Sequence, residues 1–429
     1  MQPIVLAVGL AHCDHQHGAL HPRGFSILPH SRKVPDPAML TPSTAIRPTA
    51  QEHLAKLISF DTSTGKSNLP LIDYVEGFLQ GLGLAPQRIY DETGTKANLM
   101  TVVGPAGVPG YVLSGHTDVV PVTGQAWSSD PFTLREADGR LYGRGSCDMK
   151  GFVACCLAKV PDMLDANLKT PFVLAFSYDE EIGCLGVRSM VAELAGWDNK
   201  PLGCFVGEPT SMEVIIGHKA KRAIKVHVTG KTGHSSLAPD FVNAVEYAAL
   251  LIVKIRELGK RYASEMRDDA YDMPVSTAHV GKIVGGEQLN IVPEACFFDY
   301  EIRALPELDM DAMCGEVEAY ARDVLEPEMQ ALHPECGIRF ELISDTPGLA
   351  MTGEEEIIRL TKHLAGRNGH AKVAYGTEAG LFKERAGVPT VVCGPGAIAQ
   401  AHKADEYIDI SEMQACEAFL DKLIAMCRG

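Results

Sequence analysis

Long apolar runs are missing from this chain of 429 residues, and none approaches the roughly 20 residues that span a bilayer. No membrane partner is expected. Basic stretches are missing too. The formal net charge is -16, from 39 Lys and Arg against 55 Asp and Glu, so nothing offers the phosphate neutralisation that nucleic acid requires. The twelve cysteines include no Cys-x-x-Cys pair, and Cys155 and Cys156 sit side by side in an apolar, helix-like run. That pattern argues against a disulfide framework and a thiolate zinc site, and points to reduced, buried thiols in a cytoplasmic protein. HExxH is absent, which excludes the helical single-zinc protease site. There is no internal repeat and no low-complexity array.

Ordinary globular composition is present instead, with 46% hydrophobic and 22% charged residues. The length exceeds one ordinary core, so two domains are expected. Residues 1–45 read as a disordered extension that holds His12, His15, His17, His21 and His30, five of the fifteen histidines. A histidine-rich tract can bind metal, and a start at Met39 would remove nearly all of it. Ile4 to Ala11 is apolar, yet no basic residue precedes it and no small-residue cleavage site follows, so a secretory signal is not expected.

From Pro48 onward the pattern is periodic. TAQEHLAKLISF places Leu54, Leu57 and Ile58 on one helical face, with Thr49 as cap. LPLIDYVEGFLQGLG reads as a second helix closed by glycine. NLMTVVG, YVLSG, FVLAFSY, CFVGE and EVIIG read as strands; KGFVACCLAKVPDML and GVRSMVAELAG read as helices. Such alternation predicts an α/β fold, a mainly parallel twisted sheet covered on both faces. After Gly217 the texture changes to β-α-β-β-α-β, with one helix expected over MDAMCGEVEAYARDVLEPEM and a last strand over IRFELI. That order predicts a ferredoxin-like α+β insertion. The expected division is 46–217 and 343–429 for a catalytic domain and 218–342 for the insertion.

Ligands of an open parallel sheet bind beyond the C-terminal ends of its strands. YVLSG ends in His116-Thr117-Asp118, FVLAFSY in Asp179-Glu180-Glu181, and CFVG in Glu208; His402 follows VVCGPGAIAQA, and Asp148 opens a helix in GRGSCDMKG. Taken singly, each histidine reads as a hydrogen-bonded structural residue and each acid as part of a solvated loop. Together they read differently, because four acids on one sheet edge repel unless cations neutralise them. Two imidazoles with carboxylates and no thiolate suit Zn(II) or a similar ion, and a cluster of this size can hold two ions with one acid between them.

GHTDVVPV, DGRLYGRGSCDMKG, YDEEIGCLG, GEPTSM, TGHSS and AQAHKADEY resemble the metallopeptidase family that holds acetylornithine deacetylase, succinyl-diaminopimelate desuccinylase, aminoacylases and glutamate carboxypeptidases. The resemblance runs from about Ala50 to the C-terminus. It implies two divalent ions, Zn(II) or Co(II), with His116 and Glu208 on one, Glu181 and His402 on the other, and Asp148 bridging. It further implies Glu180 as general base, a hydrogen bond from the His116 ring to Asp118, and a cis peptide after Asp148. His234 is implied as a donor that reaches across a homodimer built through the inserted lid. Asn290 and Arg303 match substrate-carboxylate positions, Thr377, Gly394 and Gly396 pocket positions, and Asn243 is a further pocket candidate. Within the family, DMKGF, GEPTSM, TGHSSLAPDFVNAVEYA and AQAHKADEYI stand nearer acetylornithine deacetylase than the desuccinylase. The implied reaction removes acetyl from the small N-acyl amino acid N-acetyl-L-ornithine, giving ornithine for arginine biosynthesis. A desuccinylase, another N-acyl-amino-acid deacylase and a dipeptide exopeptidase are the alternatives.

Overall fold

A reciprocal cap starts the folded chain. The Thr49 hydroxyl accepts from the N–H of Glu52, whose carboxylate accepts from Thr49 N–H at 2.7 Å, satisfying two donors that helix geometry leaves free. The structure, a computed structural model, describes residues 47–429. The histidine-rich stretch, Met39 and the expected extension lie outside the described residues.

In chain order, α1 (Ala50–Ile58) and α2 (Leu69–Gly81) lead into β1 (Gln87–Tyr90), β2 (Ala97–Val103) and β3 (Tyr111–His116). Then come β4 (Arg135–Ala137), β5 (Arg140–Tyr142), α3 (Lys150–Asp165), β6 (Phe172–Ser177), α4 (Val187–Ala195), β7 (Gly203–Val206) and β8 (Ile215–His218). A second group holds β9 (Ala220–Thr229), α5 (Ala244–Glu265), β10 (Thr277–Gly285), β11 (Ala295–Ala304), α6 (Met310–Tyr320), α7 (Glu326–Leu332) and β12 (Gly337–Thr346). The remainder is β13 (Leu349–Ala350), α8 (Glu356–Ala365), β14 (Ala371–Val373), α9 (Ala379–Ala386), β15 (Thr390–Val392), β16 (Tyr407–Asp409) and α10 (Ile410–Cys427).

The main sheet runs β1-β2-β6-β3-β7-β15-β8-β13, with β14 beside β8. Its centre, β6-β3-β7-β15, is parallel, whereas β1, β2 and β13 pair antiparallel with their neighbours at the margins. Helices flank it, so β6 is buried at every residue and β3 at all but the first. That is why both strands read as unbroken apolar runs rather than alternations. Truncating a ring such as Phe205, fully buried in this core, would cost about 3–5 kcal/mol.

The second sheet, β10-β11-β9-β12, is antiparallel throughout. Its strands alternate in burial, β11 most regularly, because α5 and α6 cover one face around Leu251, Ile255, Phe298, Ile302 and Val317. The single helix expected over 310–329 is broken instead. α6 ends at Tyr320, a π-helical turn spans Ala321–Leu325, and α7 restarts just before Pro327, which has no N–H to continue the ladder. β12 also outruns its apolar pattern, passing a bulge between Leu342 and Ser344 to reach Thr346. A small third sheet, β16-β5-β4, has no counterpart in the periodic pattern.

Candidate metal centre

Three neighbouring parallel strands deliver the first groups. β3 ends at His116, β6 ends just before the Asp179–Glu181 turn, and Glu208 lies just past β7. Gly207 is required there, since a Cβ would sit 2.0 Å from the Phe152 ring on α3. Asp148 lies before α3, and the Asp148–Met149 peptide is cis. His402 comes from the loop between β15 and β16, with φ +61°.

The two oxygens of Asp148 face two imidazoles. Oδ1 is 2.9 Å from His116 Nε2, and Oδ2 is 3.3 Å from His402 Nε2. Glu208 Oε1 lies 3.9 Å from His116 Nε2, and Glu181 Oε2 lies 3.0 Å from His402 Nε2. Donor atoms of His116, Glu180 and Glu208, and of His116, Asp148 and Glu181, fall within 4.8 Å of one another. The fit to metal has a local test. Glu208 Oε1 is buried with no hydrogen-bond partner, an expensive condition for a carboxylate unless a cation takes up its lone pairs. An all-oxygen-and-imidazole donor set matches a divalent ion of the zinc type.

Without a cation, three of the acids are pushed toward their protonated forms. Burial pushes Glu180 up to about 8, and burial with the charge of Asp148 raises Glu181 and Glu208. Burial opposes the His116 imidazolium, yet the hydrogen bond to Asp148 and the charge of Glu208 carry it well above its ordinary range. Hydrogen bonds to Asp148 and Glu181 lift His402 to about 10. Asp148 is buried, but its two imidazole partners hold it well below the usual carboxylate range. Opposed shifts in one cleft mark groups built around charge.

Asp118 works differently from the expectation. Its carbonyl oxygen, not its carboxylate, accepts from His116 Nδ1 at 2.9 Å, while the nearer carboxylate oxygen is 3.6 Å away. The carboxylate instead accepts from the backbone N–H groups of Glu180 and Glu181, both at 3.1 Å, and so fixes the turn that aims those acids. Asp179 faces away, paired with Lys96 at 2.5 and 2.7 Å.

The centre opens into a cavity of about 160 Å³ whose walls include Asp148, Glu180, Glu181, Glu208, His402 and Arg303. Sequence reasoning missed Lys221, Cys184 and Tyr375, which also line it. Lys221 is the register partner of Arg303 across β9 and β11, a neighbour that appears only once the strands pair. Cys184 donates its S–H to Glu180 Oε1 at 3.1 Å.

The remaining candidates fall outside the cavity walls. His234 is exposed, with Nδ1 2.8 Å from the Ser236 hydroxyl. Asn290 is exposed, and its carbonyl accepts from Ser235 N–H at 3.0 Å. Asn243 caps α5, its side-chain oxygen accepting from Val245 and Glu246 N–H. Thr377 is buried and accepts from Ala379 N–H at the start of α9. A Cβ on Gly394 would lie 2.1 Å from the Gly207 carbonyl oxygen, and Gly396 has φ +86°. Both glycines serve close backbone passage.

Residues 112–426 match Peptidase family M20/M25/M40, and the chain belongs to that family: it is a metal-dependent hydrolase. An acetylornithine deacetylase of Myxococcus xanthus is 32% identical over 389 residues, covering 89% of this chain and 98% of that protein. Among solved structures, a tripeptidase of Staphylococcus aureus subsp. aureus Mu50 superposes with TM-score 0.68 at 19% identity, over 88% of this chain and 97% of that one. A Bacillus subtilis protein described as a dinuclear metal binding peptidase of the same family gives TM-score 0.60 at 12% identity, over 88% of this chain and 98% of that one. These likenesses support the fold, a central, mainly parallel sheet flanked by helices. No described helix is long and apolar enough to cross a membrane.

Proposed function

We propose that this chain is a two-metal amidohydrolase that removes the acetyl group from N-acetyl-L-ornithine, releasing ornithine and acetate. The observation that carries the two-metal reading is the division of Asp148, one oxygen toward His116 and the other toward His402. His116 and Glu208 would hold one ion, Glu181 and His402 the other, with Asp148 between them; Zn(II) suits the donors best and Co(II) is the alternative. Such ions supply Lewis acidity, lowering the pKa of water toward about 7 and polarising an amide carbonyl.

In this reading Glu180, whose carboxylate lies beside the His116 and Glu208 donor atoms, would be left free of both ions. Its carboxylate takes the proton of the attacking water and hands it to the departing amine. Asp118 fixes the Glu180–Glu181 turn through two N–H groups, so the base and its neighbour keep separate tasks. Arg303 and Lys221, which line the same cavity, suit a substrate carboxylate. The relative in Myxococcus xanthus favours acetylornithine as the substrate.

Residues 218–342 act as lid and dimerisation element in this reading. Leu237 and Ile291, tied to His234 by backbone pairing, and nearby Leu289 are exposed, apolar groups suited to a second copy, through which His234 would donate to the developing oxyanion. The eleven described cysteines are free and buried, in keeping with a reducing, cytoplasmic compartment.

Assaying purified enzyme with Zn(II) or Co(II) on N-acetyl-ornithine, N-succinyl-diaminopimelate and a dipeptide panel tests the substrate. N-acetyl-ornithine should be cleaved fastest, and preference for another member of the panel overturns the assignment. In the same assay Glu180→Gln should lower kcat by about 10²–10⁴ with metal content unchanged; normal turnover removes Glu180 as base.

A further inference from the structure

The loops that carry Asp148 and His402 are far apart in sequence, and one buried network ties them together. Glu406 is 1% exposed. One of its oxygens accepts from the N–H of Cys147 at 2.9 Å and of Asp148 at 3.0 Å. The other accepts from Gly145 N–H at 3.1 Å and from the Arg144 guanidinium. Arg144, equally buried, reaches on with Nη2 to the side-chain oxygen of Gln125 at 2.5 Å. That same oxygen accepts from the Trp127 indole at 3.1 Å. Two donors fix which way the Gln125 amide is turned, and its nitrogen therefore points outward. It donates to the main-chain carbonyl of His402 at 2.9 Å.

His402 needs such a hold more than its partners do. Its side chain is 51% exposed, against 1% for His116 and 7% for Asp148. It belongs to no helix or strand, and it sits in the left-handed region that side chains other than glycine's rarely adopt. Strand β3 places His116 through ladder hydrogen bonds; nothing comparable places His402. Gln125 meets neither the cavity nor any of the five proposed ligand side chains, so its effect must pass through the backbone of His402.

We propose that Gln125, anchored by Arg144 and Glu406, is a positioning residue that sets how tightly the His402 side of the centre holds its ion. The inference rests on the two-ion reading given above. Groups that orient a ligand in this indirect way change metal affinity by about 10–100-fold when removed.

Two variants separate the contacts. Gln125→Glu keeps the oxygen that accepts from Arg144 and Trp127 and loses the donor to His402; Gln125→Leu loses both. Metal-free wild type and variants are titrated with Zn(II) against a competing chelating dye, and heat unfolding of the metal-free forms is followed in parallel. The wild type should take two ions. In both variants one dissociation constant should rise about 10-fold or more, with the other nearly unmoved and the metal-free unfolding midpoint unchanged. Unchanged constants overturn the inference. Equal weakening of both ions together with a lower metal-free midpoint marks a merely structural residue and overturns it too. A wild type that binds fewer than two ions instead defeats the two-ion reading, and the inference with it.

Discussion

The two imidazoles at the centre are held in opposite ways. His116 closes a buried strand, its Nδ1 already bonded to the Asp118 carbonyl, so its orientation is set by the core of the main sheet. His402 stands half-exposed in a loop, with its carbonyl held by a glutamine side chain. One end of the centre is part of the fold and stands whether or not a ligand is bound; the other is assembled on top of it by side-chain hydrogen bonds. On the proposed two-ion reading, the strand-borne group should therefore matter for stability and the loop-borne group chiefly for affinity.

Paired alanine variants test that contrast most severely. His116→Ala removes one partner from a fully buried charged cluster, and the metal-free protein should lose about 3–5 kcal/mol in a denaturant titration. His402→Ala should leave metal-free stability within about 0.5 kcal/mol while weakening ion uptake. Equal destabilisation by the two would break the comparison.

A third imidazole sharpens it. His218 is as buried as His116 but has no acid beside it; Nδ1 donates to the Lys219 carbonyl and Nε2 accepts from Gly380 N–H. Burial pushes it down to about 4, and does the same to His53. A folded pKa below the ordinary 6.5 means that the unfolded chain binds the extra proton. These two histidines therefore support the fold fully above pH 6.5, and that support is lost as pH falls toward 4. Each adds up to one proton to the slope, about 1.4 kcal/mol per pH unit. Unfolding measured from pH 7 to 4 should show this, and His218→Gln should flatten it; an unchanged slope would remove His218 from the account.

The smallest effect concerns a loop residue that holds a helix. Asn243→Ala should cost about 1 kcal/mol through loss of the α5 cap, with KM unchanged. A raised KM at unchanged stability would return Asn243 to the pocket.

The same contrast explains what was legible in the sequence. β3, β6 and β7 are buried on both faces, so they announce themselves as apolar runs, and the groups at or just beyond their ends could be read off in place. β4, β5 and β16 have three residues each, too few for any period to show. His402 could be singled out by its neighbours in AQAHKADEY, but its support by Gln125 depends on residues far apart in the chain. Lys221 escaped because cross-strand neighbours are a property of register. Asp118 meets the ring two residues back through its carbonyl, while its carboxylate serves N–H groups beyond another strand's end, a contact that no local spacing encodes.

The path of the chain between the two sheets has a further consequence. It leaves the main sheet at His218 and returns at Leu349, and these two residues are paired directly across β8 and β13. Everything between them is a parenthesis whose brackets touch. A tight turn could close that gap at little entropic cost, because the ends to be joined are already in register. In modular terms the second sheet is a cartridge seated on a hairpin. It could be excised, or exchanged for that of a relative, at a single seam that leaves the strand ends carrying His116, Glu181 and Glu208 where they are.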